Sequence, residues 1–339
     1  MAGAEGREPL IASLASIGSV LEEIELGMKA SLRQLAGVVL EEMWEQEVGE
    51  LCGPRWRPVA ERRAARAGGC ATEVTLAGQS VALRRPRVRV SRRSELELAS
   101  YHMAGSRDLL AGDALESILV VASGGFTPEL DTRDTLVERF VELMVNRLAG
   151  LIWQPLWDPG PLLVIGELRL RRYSLLAWTD LDAAGNRSLI GLRPGASENE
   201  VVVDGLVREL AGRLGHRVAE VGILAGEEPG IQRVLKRRFP SEVPIQRCAI
   251  EKMRRVIGLL EPGLQPVALD WLQSAYHQED VGRALADLQH IAAQLDAESP
   301  EASAALREGL EDTLTARMLA GRRAKKLVRG EGARAGATP

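Results

Sequence analysis

Aromatic residues are scarce: Phe, Trp and Tyr make up only 4% of the 339 residues. Any core must therefore be mostly aliphatic, drawn from a hydrophobic fraction of 45%. Cysteine is scarcer still, at positions 52, 70 and 248. An odd, scattered set excludes a disulfide framework and, with no export-type N-terminus, leads us to expect a reducing, cytoplasmic setting. The four histidines (102, 216, 277 and 290) have no paired spacing and form no zinc set with the cysteines, so no metal ligands are assigned to them. His216, after Gly215, is expected as a helix C-terminal cap. No run of about 18 apolar residues exists, which excludes a helical membrane span. Phosphate-cradling glycine loops and serine nucleophile elbows are missing too.

A net charge of -4 shows no overall excess of positive charge, yet the average hides a strongly uneven distribution. Between Arg55 and Arg93 stand eleven arginines, opposed by Glu61 and Glu73 alone. Acidic residues gather elsewhere, as at Glu41, Glu42, Glu45 and Glu47. Because salt screens charge beyond about 10 Å, the local excess is what a phosphate would meet.

Periodicity divides the chain into segments. Residues 10–50 repeat apolar positions at helical spacing, and Gly53-Pro54 ends the pattern. Residues 73–90 alternate around Ala77-Gly78-Gln79 and predict a β-hairpin. Within it Arg85, Arg87 and Arg89 share one strand parity and are expected on one face, while Pro86 predicts an edge strand. The arginines offer a phosphate-binding ribbon, with a solvated strand face as the plainer alternative. Residues 107–150 are helical again, with Thr132 expected as a cap. From 160 to 260 the order is β-β-β-α-β-α-β-α, the order of a ribonuclease-H-like α/β fold with a mixed five-stranded sheet. Its first helix is expected to start from a capping box of Ser197 and Glu200. Residues 261–319 are helical, and the last twenty, rich in Gly, Ala and Arg, are expected to be disordered.

Several short stretches in this order resemble a known family. "LCGPRWRP" and "EVTLAGQSVALRRPRVR" resemble the N-terminal signature of Mutator-type bacterial insertion-sequence transposases. "GNRSLIGLRPGASENEVVVDGLVREL", "VPIQRCAIEKMRRVI" and "ALREGLEDTLTARMLAG" resemble successive parts of that family's catalytic region. The resemblance covers roughly residues 50–320 and implies DNA strand cleavage and transfer. Three acids on a ribonuclease-H-like core would hold two Mg²⁺ or Mn²⁺ ions, hard cations that prefer carboxylate oxygen.

This chain departs from the pattern at each acid. The family's first and second aspartates fall on Gly166 and Gly226, each followed by a glutamate, Glu167 and Glu227. The third acid's motif is absent after Gly321, and the family's histidine is Glu251, which leaves the role of Cys248 open. We therefore expect no cofactor, no functional catalytic residue and a truncated, inactive protein that retains DNA binding. Glu167 and Glu227 remain the fallback ligands, with Glu308 or Glu311 as a third. A one-residue shift on a strand turns a side chain to the opposite face, which argues against them. The basic tail (Arg322, Arg323, Lys325, Lys326, Arg329) is either a DNA arm or the replacement of a lost portion; the end of the resemblance favours the second.

The expected organisation is a helical region (1–51), an arginine-rich segment with hairpin (52–106), a helical DNA-binding region (107–158), the core (159–260), a helical insertion (261–320) and the tail (321–339). Arg55, Arg57, Arg62, Arg63, Arg84, Arg85, Arg87 and Arg89 are the expected DNA contacts. Terminal inverted repeats are the target the resemblance implies, and a homo-oligomer or a mixed oligomer with an intact transposase the expected assembly. Two rival readings stay open: an active metal-dependent transposase using the displaced glutamates, and an interaction partner that inhibits an intact one.

Overall fold

Val20, Ile24, Met28, Leu32, Leu40 and Met43 recur three or four residues apart or at multiples of that spacing, so one stripe of a helix is apolar along its length. In a computed structural model, which describes residues 19–57, 62–91, 94–125, 134–152 and 159–318, that stripe belongs to α1 (Val20–Cys52) and is buried. Gly53 ends the helix with φ 75°, its N–H donating to the Gly49 carbonyl at 2.9 Å. The part of the predicted helix before residue 19 lies outside the described residues.

A three-stranded antiparallel sheet follows: β1 (Ala65–Leu76), β2 (Gln79–Ser91) and β3 (Ser94–Leu96), in the order β1-β2-β3. The predicted hairpin is present, with Leu76 paired to Gln79. Ala77 and Gly78 take φ 49° and 75°, the pair of left-handed residues that a tight hairpin turn matching strand twist requires. The Asp108 carboxylate accepts from both their N–H groups, at 2.9 and 2.7 Å. The edge-strand expectation for β2 is corrected: β2 is central. Its pairing with β3 spans only Val88 to Ser91, however, so Pro86 lies beyond it and removes no donor from that ladder.

Three helices, α2 (Ala99–Ser106), α3 (Gly112–Ala122) and α4 (Thr135–Ile152), lead to the larger sheet. Thr132, the expected cap of α4, lies outside the described residues. The sheet comprises β4 (Leu162–Arg169), β5 (Ser174–Leu181), β6 (Arg187–Pro194), β7 (Gly222–Ala225) and β8 (Ile245–Arg247), in the order β6-β5-β4-β7-β8. β5 runs antiparallel to β4 and β6, whereas β7 is parallel to β4 and β8 to β7. The intervening helices are α5 (Glu200–Leu214), α6 (Pro229–Arg238) and α7 (Ala249–Gly258), with a 3-10 turn (Gly215–Glu220) after α5. The β-β-β-α-β-α-β-α order is as predicted, and the chain has an α/β fold.

Helices cover both faces of this sheet, which is why β4 reads as a nearly unbroken apolar run. Leu162, Val164 and Leu168 share a core with α1 and α4. Leu163 and Ile165, of opposite parity, share a second with Trp178, Val203, Leu206 and Val234 from β5, α5 and α6. A third core joins α7 to α8 (Gln265–His277), α9 (Val281–Glu298) and α10 (Pro300–Arg307) through Val256, Leu272, Leu288 and Leu306. No helix among the described residues is long and apolar enough to cross a membrane.

Two local expectations are corrected. Asn199, not Ser197, caps α5, its side chain accepting from Val201 and Val202 N–H at 3.1 and 3.4 Å. Gly215 rather than His216 is the residue that caps the end of α5.

Candidate functional site

Parallel pairing sets the geometry at the carboxyl ends of β4 and β7, the end of such sheets where ligands bind. Ile165 pairs with Ala225, and Gly226 N–H donates to the Ile165 carbonyl at 3.2 Å. Gly166, inside β4 where its pairing with β7 stops, and Gly226, just past β7, are therefore neighbours, where two carboxylates could share metal ions. Neither has a side chain, and their surroundings are filled. A β-carbon added at Gly166 would lie 2.5 Å from Val20 Cγ1 and 2.9 Å from Ile24 Cδ1, inside contact distance with the first turns of α1. At Gly226 it would collide with the Glu228 carboxylate and lie 3.1 Å from Glu251 Oε2.

Glu167 points away from α1, as strand parity dictates. Its carboxylate accepts from Ser197 N–H at 2.9 Å, from the Ser197 hydroxyl, and from Arg169 Nε at 3.1 Å. Burial pushes this carboxyl up, but the hydrogen bonds from Ser197 and Ser174 and the charge of Arg169 outweigh it and hold it below its ordinary value.

Glu227 turns in a third direction, into a cluster of cations. Lys252 Nζ is 2.6 Å away, and the Arg247 and Arg255 guanidiniums are each at 3.7 Å. Lys252 is fully buried and also donates to the carbonyls of Ala305 and Glu308, at 2.9 and 2.7 Å. Burial pushes the Glu227 carboxyl up and the Lys252 ammonium down, with their mutual attraction opposing both shifts. Glu308 pairs with Arg255 at 2.9 Å, and Glu311 lies exposed in a 3-10 turn (Glu311–Leu314), so neither candidate third acid joins a carboxylate set. This network ties the strand ends to the C-terminal helices.

Glu251 also stands close to Gly226, behind Glu228. Its two oxygens accept from Leu21 N–H at 3.3 Å and Glu227 N–H at 3.2 Å, so it anchors the N-terminus of α1, where a negative charge is favoured. Burial, then the neighbouring Glu228 carboxylate, raise Glu251 from 4.5 to about 7. The folded state thus holds this proton up to about pH 7, while the unfolded chain releases it near 4.5. Stability must fall as pH rises through that window and level off above it. Glu251→Gln should remove the slope, making the variant about 2 kcal/mol more favourable relative to wild type at pH 8 than at pH 5. Urea denaturation at the two pH values checks this; an equal difference at both would refute it. Cys248, beside this cluster, is buried and its thiol is pushed up to about 11, so it stays protonated and unreactive at neutral pH.

Among the described residues no three His, Cys, Asp or Glu side chains gather where they could hold a metal ion. Glu167, Glu227 and Glu251 face three different partners, and two metal ions do not fit the residues present.

The expected DNA-contacting arginines divide into two groups. Arg57, Arg62, Arg63, Arg84 and Arg89 are exposed, as is Arg55, which pairs with Glu45 at 2.8 Å. Arg85 and Arg87 are half-buried and share Glu95, at 3.5 and 2.6 Å, and Arg85 also lies 4.3 Å from the Tyr101 ring centre. Hence much of the charge on these two is internally neutralised. Sequence reasoning passed over Arg66 and Trp56, which line one groove with Arg55, Arg84, Arg85 and Arg87. The signal available was a tryptophan set between Arg55 and Arg57.

Residues 165–328 match the family model described as Transposase, Mutator family. Over that segment, just under half of its length, the chain is similar to the Mutator family of transposases. No curated protein matches it. The Mutator match begins within β4 and runs past Gly321, where the resemblance was expected to end. The arginine-rich hairpin precedes it, so the likeness read there is not part of the match.

Proposed function

We propose that this chain binds DNA and does not cut it. The single observation that carries this reading is the pair of neighbouring glycines, Gly166 within β4 and Gly226 just past β7, with Val20 and Ile24 packed where a first carboxylate would project. The strand order, with three antiparallel strands followed by two parallel ones, supports a ribonuclease-H-like fold for the core. On such a core a cutting enzyme needs acids at these two positions to hold Mg²⁺ or Mn²⁺, which would activate the attacking oxygen and stabilise the leaving one. Here Glu167 serves Ser197 and Glu227 serves Lys252, so both have structural work instead.

DNA would be held through phosphate by the exposed arginines of the segment before and along β2. Six of them (Arg55, Arg57, Arg62, Arg63, Arg84, Arg89) imply a log-log salt slope of about −5, or roughly a thousandfold loss of affinity between 50 and 200 mM salt. Arg84→Ala with Arg89→Ala should reduce the slope by about 2. Fluorescence anisotropy with a labelled duplex measures both. The companion test is incubation of supercoiled plasmid with the protein and Mn²⁺, where we expect no nicking. Nicking that Glu227→Gln abolishes would overturn the inactive reading, and salt-independent or absent binding would overturn the DNA-binding one.

A further inference from the structure

The groove between the C-terminal part of α1 and the β1–β2 hairpin has a volume of about 680 Å³, within the range of pockets that take small ligands. Five arginines line it (55, 66, 84, 85 and 87) against two acids, Glu41 and Glu45, an excess of three positive charges. The charges differ in freedom. Glu45 is shared between Arg55 and Arg66 at 2.8 and 2.9 Å, and Glu95 holds Arg85 and Arg87. Glu41 is occupied by the Arg84 backbone N–H at 3.1 Å, and the Arg84 guanidinium has no ion-pair partner among the described residues. Gly68 and Gly69 also line the groove and put bare backbone there, so a ligand can approach closely.

Trp56 stands on this groove in an unusual state. It is 98% exposed, more than any other large hydrophobic side chain among the described residues. Its φ is 65°, a left-handed conformation that a bulky residue rarely adopts and that tends to persist at sites of function. No packing accounts for either feature. The result is a flat aromatic face held beside free and half-neutralised guanidiniums, the combination by which proteins take unpaired nucleotides: the base stacks and the phosphate is paired. A duplex keeps its bases stacked on each other and offers Trp56 no base face.

We propose that this groove receives an unpaired DNA nucleotide, its base stacked on Trp56 and its phosphate held by Arg84 with Arg55 and Arg66. The inference rests on the DNA-binding reading and names the form of DNA the site takes. Its test uses the full chain and two labelled probes measured by anisotropy at one salt concentration: a blunt duplex, and the same duplex carrying three unpaired thymidines at each end. Wild type should prefer the extended probe about tenfold. Trp56→Ala should abolish that preference while leaving blunt-duplex affinity and the salt slope unchanged, since stacking releases no counterions. Trp56→Phe should keep most of it. Equal affinity of wild type for both probes, or an undiminished preference in Trp56→Ala, would overturn this proposal and leave DNA binding standing. Failure to bind either probe would overturn both.

Discussion

Lys252→Met should lower the unfolding free energy by about 3–5 kcal/mol, the cost of leaving a buried charge without its partner. Glu227 is almost wholly buried, and its closest cation is Lys252 at 2.6 Å, while Arg247 and Arg255 stand more than an ångström further off. Removing the ammonium also takes a donor from the carbonyls of Ala305 and Glu308, whose bonds to Lys252 hold α10 against α7. The effect should therefore appear both as a lower urea midpoint and as earlier loss of the C-terminal helices to proteolysis. Combining Lys252→Met with Glu227→Leu should recover part of the loss, because no uncompensated charge then remains. A single variant within about 1 kcal/mol of wild type would show that the arginines alone suffice for Glu227, contrary to the geometry.

Gly166→Asp, the change that would restore the first acid the resemblance implies, should be the second most damaging. The new β-carbon would sit 2.5 Å from Val20 Cγ1, and its carboxylate would be driven among Val20 and Ile24 without a hydrogen-bond donor. Overpacking costs about 1–3 kcal/mol and the unpaired charge several more, so a loss above about 3 kcal/mol is expected. Adding Mn²⁺ should not raise the melting temperature of this variant, since the other carboxylates do not converge on the position. A Mn²⁺-dependent rise would mean that a metal binds the folded form, which the present side-chain placement does not provide for.

Strand parity made part of this site legible. Glu167 follows Gly166 by one residue on a buried strand, so its turn to the opposite face could be read directly, as could the order of strands and helices. The occupants of the space beside Gly166 could not. Val20 and Ile24 stand about 140 residues earlier, and nothing local to either segment says that they meet. Lys252 was equally hidden: in "EKMRR" it reads as one more solvated cation, and only the arrival of α10 buries it. Arg85 and Arg87 looked free because Glu95 acts through β3, a strand too short to announce itself by alternation. Ser197 looked like a cap since its type and spacing fit, whereas Asn199, two residues on, fits equally and Ser197 is claimed by Glu167.

α1 begins over Gly166 and passes Glu45, on the wall of the Trp56 groove, some 25 residues later. At about 1.5 Å per residue this is roughly 38 Å of rigid rod. Duplex DNA advances about 3.4 Å per base pair and repeats in about 10 to 10.5, so the rod is close to one repeat long. A double helix laid beside it would turn nearly the same groove toward the protein at both of its extremities.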